Sequence, residues 1–286
     1  PDNDSRKGDL KDIYANLDFA ELSGKQYVLL TNASYIYNID FKDVLKFHKD
    51  SQADITMVYT KAKSDREGKS VLIETSTNGI VTDLAEVPAL KAGQKDVIGA
   101  YLMPVPTFAY IVRTTYERGG QDFLLDGLIR HAHEFKISAF YHKGYVAHIN
   151  STMSYYAANK DCLNPDIWEE LFMNPERPIF TKVKDEVPVQ YKETASVKNS
   201  LVANGCEIRG TVENSIIGRG VFIDEGAVIR NSLIQAQRMA VLHTKFGVGL
   251  VQDHFQNGAH NQKSLAQRRG KLSLHRHQKR QNLIRA

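Results

Sequence analysis

Asp40 and Asp43 form a pair with the type and spacing for chemistry, since two carboxylates a helical turn apart can share a cation or divide acid and base roles. At the start of a segment headed by Phe41, however, they fit an N-cap and a first-turn acid equally well, and that reading is preferred. Asp122 and Asp126 flank Phe123, where capping and the helix dipole suffice to explain both. His148 offers a metal ligand or a base, yet a lone histidine near a strand end reads first as a hydrogen-bonded structural residue. His275 and His277 lack a zinc spacing and stand among cations that would repel a metal. Cys162 and Cys206, the only cysteines, read as buried thiols rather than a disulfide or metal framework.

These residues must be held by alternating strands and helices. Tyr27–Leu30 is a continuous apolar run, as expected for a strand covered on both faces, and Asp40 followed by Phe41, Val44, Leu45 and His48 predicts a capped amphipathic helix. Strands are predicted over 53–59, 97–103, 137–141 and 145–149, with a hairpin of 71–74 and 79–86 about Thr77-Asn78-Gly79. Helices are predicted over 104–116, 122–135, 152–163 and 167–172. Alternation of this kind argues an α/β sheet domain, and Asn174-Pro175-Glu176-Arg177-Pro178 ends it in a linker running to Tyr191.

Beyond the linker the sequence repeats one phrase three times: Asn199-Ser200-Leu201-Val202, Asn214-Ser215-Ile216-Ile217 and Asn231-Ser232-Leu233-Ile234. Val197, Val202, Ile208, Val212, Ile217, Phe222 and Val228 form an apolar ladder between glycine corners, the signature of a parallel β-helix. After Ile234 the pattern stops. The remainder holds ten basic residues against one acid, Asp253, although the whole chain of 286 residues carries a net charge of only +4. Its runs Arg268-Arg269-Gly270-Lys271 and Arg276-His277-Gln278-Lys279-Arg280 suit nucleic-acid phosphates, but the lack of apolar periodicity favours a disordered or out-of-frame tail, so nucleic acid is not the expected partner. With 42% hydrophobic residues, no run near the roughly 18 needed to span a membrane and a polar N-terminus, the chain is expected to be globular and cytoplasmic.

Tyr27–Leu30 with Asn38-Ile39-Asp40, the Ala53-Asp54-Ile55-Thr56 strand, Gly144-Tyr145-Val146-Ala147-His148-Ile149-Asn150-Ser151, the linker Arg177–Glu186 and Gly210-Thr211-Val212-Glu213-Asn214-Ser215 together resemble the sugar-nucleotide pyrophosphorylases. Residues 10–234 are similar to glucose-1-phosphate adenylyltransferase (ADP-glucose pyrophosphorylase), and most of all to its D-type, non-catalytic glycogen-biosynthesis subunit. The resemblance implies a partial Rossmann-like (GT-A-like) nucleotidyltransferase α/β domain over 1–173, a linker over 174–191, a truncated left-handed parallel β-helix over 192–234, and a basic tail over 235–286. It also implies that the nucleotide-binding Gly-rich loop would precede Pro1, so the sequence is expected to be an N-terminally incomplete fragment, with exposed apolar edges and low stability.

In this family two aspartates hold Mg²⁺ between the anionic reactants, and the resemblance places them at Ser34 and His148. A lysine that contacts the sugar phosphate falls at Val87, leaving Glu86 as a weak sugar-binding candidate. Three lost charges, at about a thousandfold in rate for each ~4 kcal/mol, imply a non-catalytic chain for which Mg²⁺ binding is doubtful. The implied partner is a catalytic ADP-glucose pyrophosphorylase subunit in a hetero-oligomer, with sugar phosphates as possible effectors. Two enzymes remain as rivals: a nucleotidyltransferase with its metal moved to Asp40 or Glu86, and a hexapeptide acyltransferase, which lacks the necessary histidine between Val197 and Ile234.

Overall fold

The computed structural model describes residues 8–180, 185–235, 241–242 and 245–246, which fall into two compact units: residues up to 158 with 166–179, and 159–165 with those from 180 onward. In the first unit, α1 (Leu10–Ala15) and α2 (Leu17–Leu22) precede β1 (Tyr27–Thr31), β2 (Tyr35–Ile36), α3 (Phe41–Ser51) and β3 (Ile55–Lys61). There follow β4 (Arg66–Thr75), β5 (Val81–Leu90), β6 (Lys95–Pro104), α4 (Val105–Glu117), β7 (Ile137–Tyr141), β8 (Ala147–His148), α5 (Thr152–Asp161) and α6 (Pro165–Phe172).

The main sheet has the order β5-β4-β6-β3-β7, with β1 also antiparallel to β6. Its β3–β7 pair is parallel and its other pairs are antiparallel, so this is a mixed sheet with a single parallel step. Side chains alternate across it. Ile55, Met57, Tyr101 and Met103 face α4 with Phe108, Ile111, Phe123 and Leu128, while Val58, Ala100 and Leu102 face Val44 of α3.

Three expectations need correction here. β1 is an edge strand, paired by β6 on one side only, and it is not covered on both faces: Val28 and Leu30 pack into the core while Leu29, on the opposite face, is 38% exposed. The helix expected over 122–135 is a π-helical turn, Phe123–Ile129, followed by a 3-10 turn, Ala132–Glu134. Asp122 accepts the Leu125 N–H at 2.7 Å while the Gly127 N–H reaches back five residues to the Asp122 carbonyl at 3.3 Å. Gly127 sits where a Cβ would come within 3.2 Å of Ile111, so its backbone lies close against α4. The strand expected over 145–149 is reduced to Ala147–His148, which pairs with Tyr35–Ile36.

Asn38, buried beside β2, ties in the last helix of this unit. Its Nδ2 donates to the carbonyls of Leu171 (2.8 Å) and Arg177 (3.1 Å), and the Arg177 guanidinium donates back to its carbonyl at 2.9 Å. Asn38→Ala strands two acceptors and is expected to cost about 2 kcal/mol, seen as a thermal midpoint lower by roughly 4–8 °C.

The second unit is built of short strands: β9 (Gln190–Tyr191), β10 (Ser196–Lys198), β11 (Leu201–Val202), β12 (Glu207–Ile208), β13 (Thr211–Glu213), β14 (Ile216–Ile217), β15 (Phe222–Ile223), β16 (Val228–Arg230), β17 (Leu233–Ile234), β18 (Val241–Leu242) and β19 (Lys245–Phe246). They are dealt in rotation to three parallel sheets, β10-β13-β16-β19, β11-β14-β17 and β18-β15-β12-β9. At the corners Asn199, Asn214 and Asn231 adopt left-handed backbone with φ of 43°, 49° and 45°, a conformation that asparagine tolerates better than most residues. Asn199 Nδ2 donates to Asn214 Oδ1 at 3.0 Å, and Asn214 in turn to Asn231. Alongside them, the Ser200 and Ser215 hydroxyls accept the N–H groups of Ser215 (3.1 Å) and Ser232 (3.0 Å). The repeated phrase is therefore a corner device.

The apolar ladder departs from the expected one at both ends: Val197 is 37% exposed, and the later part shifts by one residue. Cys206, Ile208, Val212, Ile217, Val221, Ile223, Ala227 and Ile229 make the core, whereas Phe222 and Val228 turn outward because they alternate with the buried residues. Phe222 instead lies under the Arg209 guanidinium, 4.9 Å from its ring centre. Two strand pairs also fall after Ile234, where no further coil was expected: Val241–Leu242 on Phe222–Ile223 and Lys245–Phe246 on Val228–Ile229. The basic runs at 268–271 and 276–280, and the His275 and His277 pair, lie outside the described residues.

Candidate functional site

A cavity of about 990 Å³ opens in the first unit between α1, α2, β1 and the β4–β5 hairpin. Its floor is apolar, with Val71, Tyr101, Phe108 and Phe123, and its polar rim includes Asn32, Tyr35, Lys69, Ser70, Glu86 and His148. β1 and the turn after it supply one wall. Gly99 of β6, at φ +66°, admits that turn, since a Cβ there would stand 2.6 Å from the Asn32 side chain.

Ser34 and His148 come from segments far apart in sequence but occupy neighbouring positions. Tyr35 pairs directly with His148, and the Ile149 N–H donates to the Ser34 carbonyl at 2.7 Å. The His148 and Tyr35 rings stack at 4.1 Å with 4° between their planes. His148 Nδ1 is buried without a hydrogen-bond partner among the described residues, so stacking rather than hydrogen bonding holds this ring. Burial, and then the nearby Arg66 charge, lower the His148 pKa and favour the neutral imidazole. The Ser34 hydroxyl turns back to donate to Asn32 Oδ1 at 2.8 Å. A committed hydroxyl and an imidazole nitrogen do not supply the hard anionic oxygens that Mg²⁺ prefers, so this corner does not fit that ion.

Glu86 lines the cavity, paired with Lys69 at 3.2 Å, while Val87, next along β5, does not line it. Asp40 caps α3, accepting the Lys42 N–H at 2.9 Å, with Asp43 in the first turn. Asp126 accepts the N–H groups of Gln121 (2.8 Å) and Asp122 (3.1 Å), which hold its carboxyl below the usual range. Asp40, Asp122 and Asp126 are thus each occupied with backbone N–H groups. Cys162, partly exposed, and Cys206, buried, form no disulfide, and the Cys206 thiol donates to the Gly218 carbonyl at 3.1 Å.

Sequence reasoning passed over three features of this site. Asp9 reaches the cavity from the N-terminal side and accepts the Phe123 N–H at 2.8 Å, yet burial raises its pKa. Arg66 pairs with buried Asp96 at 2.8 Å and donates to Ser70 at 2.6 Å. Lys69 places a cation on the rim. Each depends on contacts between segments distant in sequence, and only the alternating pattern of β4 hinted which of its residues share a face.

A mixed sheet with helices on both faces, joined at its cavity by the β2–β8 pairing, defines the class of fold. Residues 3–164 match the family model for nucleotidyl transferases, and the chain belongs to that family. It is 29% identical over 223 residues to the glycogen biosynthesis protein GlgD of Bacillus subtilis, an alignment covering 78% of this chain and 55% of that protein. It is 28% identical to the glucose-1-phosphate adenylyltransferase of Clostridium beijerinckii, over 79% of this chain and 59% of the enzyme, and 28% identical to that of Mycoplasma mobile, over 77% and 58%. The chain spans a little over half the length of these relatives. Among the described residues no helix is long and apolar enough to cross a membrane.

Proposed function

We propose that this chain is the regulatory, catalytically impaired partner of a glucose-1-phosphate adenylyltransferase, the enzyme that converts ATP and glucose 1-phosphate to ADP-glucose and diphosphate in cytoplasmic glycogen biosynthesis. The observation that carries the reading is the corner where Ser34 and His148 meet on paired strands without a carboxylate between them. Likeness to GlgD supports it from a second direction. Val87 stands where the resemblance implies a lysine, and without carboxylates at Ser34 and His148 to hold Mg²⁺ the accumulating negative charge of adenylyl transfer loses the metal's neutralisation.

In this reading residues 1–173 form a nucleotidyltransferase-like domain, 174–191 a linker, and 192–234 a left-handed β-helix of hexapeptide repeats whose sides pack against the catalytic subunit. Three parallel sheets visited in rotation support such a coil, and stacked coils leave flat surfaces suited to assembly. The α/β cavity keeps the capacity to bind a sugar phosphate as effector. Co-expression tests the partnership: the two chains are expected to co-purify as one hetero-oligomer at a fixed ratio, and separate elution at micromolar concentration would count against it.

A further inference from the structure

Positive charge reaches the cavity from a strand that the family pattern does not mark. Ser70 pairs in register with Val87, so Lys69 stands one residue from the partner of the position where the resemblance implies a lysine. Its Nζ lies 3.2 and 3.3 Å from the two oxygens of Glu86, and its side chain is 78% exposed. An ion pair so open to water contributes little, so Lys69 can exchange one carboxylate for a more highly charged anion at small cost. A phosphate monoester brings close to two negative charges and three strong acceptor oxygens, which an ammonium group with three donors suits well. Arg66, by contrast, is already committed to buried Asp96 and to Ser70. On the same rim, the unpartnered Nδ1 of His148 is a buried polar atom that a sugar hydroxyl would satisfy.

We propose that Lys69 is the specificity-determining cation of this cavity, receiving the phosphate of a hexose phosphate, with Glu86 as its resting partner and His148 facing the sugar hydroxyls. The idea rests on the regulatory reading only in taking a sugar phosphate as the ligand.

Calorimetric titration of the full chain with glucose 1-phosphate, and separately with inorganic phosphate, at low salt provides the test. Lys69→Met is expected to weaken both ligands at least tenfold. Glu86→Gln, which removes the competing carboxylate, is expected to tighten inorganic phosphate a few-fold, an opposite sign that a purely structural Lys69–Glu86 pair would not produce. Undiminished binding by Lys69→Met overturns the proposal, as does a loss on Lys25→Met instead, Lys25 being another cavity lysine. Absence of binding by the parent chain also overturns it, while leaving the regulatory reading to stand or fall on the behaviour of the two subunits together.

Discussion

Phe123→Ala is expected to destabilise the first unit by about 3–5 kcal/mol, lowering its thermal midpoint by roughly 10 °C. The Phe123 ring is 1% exposed and sits 5.8 Å from Phe108 and 6.2 Å from Tyr101, centre to centre. Truncation leaves a void among aromatic neighbours that α4 and the sheet hold too rigidly to close. The same residue begins the π-helical turn, and its N–H is held by Asp9, so the cavity wall should loosen with it. Phe123→Leu retains most of the volume and should cost less than half as much. Equal midpoints for Phe123→Ala and the parent would mean that this core is not packed as described.

Asn214→Val should cost the coil about 3 kcal/mol. The substitution removes the bonds to Asn199 and Asn231 and forces a β-branched residue to a φ of 49°, where the clash alone costs about 1–2 kcal/mol. Asn214→Gly separates the two contributions, because glycine accepts that backbone and loses only the ladder; about half the effect should return. Since each coil is stabilised by its neighbours, loss at the middle corner uncouples both sides. Chemical denaturation followed through both units distinguishes this from a change confined to the α/β unit.

The corner asparagines also show what the sequence makes legible. Asn-Ser recurs because left-handed corners and stacked hydroxyls recur, so the repeating parallel strands of the second unit could be read from the sequence alone. Its continuation could not. Lys245–Phe246 follows Val228–Ile229 by the same step that separates Val228–Ile229 from Thr211–Val212, but Val248 and Gly249 stand where Asn and Ser would mark the corner. In the α/β unit, Asp40 announced its helix correctly through a local cap, whereas Asp122 also capped a turn, but one that winds as a π-helix packed close against α4. Local hydrogen bonding can be read from neighbours in sequence; helix type at a packed surface cannot.

The candidate site divides along the same line. Motif positions led to Ser34, Glu86, Val87 and His148, and the β2–β8 pairing brings the first and last of these side by side. Tyr35, Lys69 and the Arg66–Asp96 pair escaped notice because nothing at their own positions marks them. They matter through register, through burial, and through what lies across the sheet.

The proposed catalytic silence rests on the chemistry of the Ser34–His148 corner, and ADP-glucose formation measures it directly. The protein is to be supplied with ATP, glucose 1-phosphate and Mg²⁺, first alone and then together with a catalytic glucose-1-phosphate adenylyltransferase subunit. No product above background from the protein alone, with a higher rate or altered effector response in the mixture than from the catalytic subunit by itself, is the expected result. Turnover by the protein alone at the rate of an active adenylyltransferase would contradict it and place the metal on other residues.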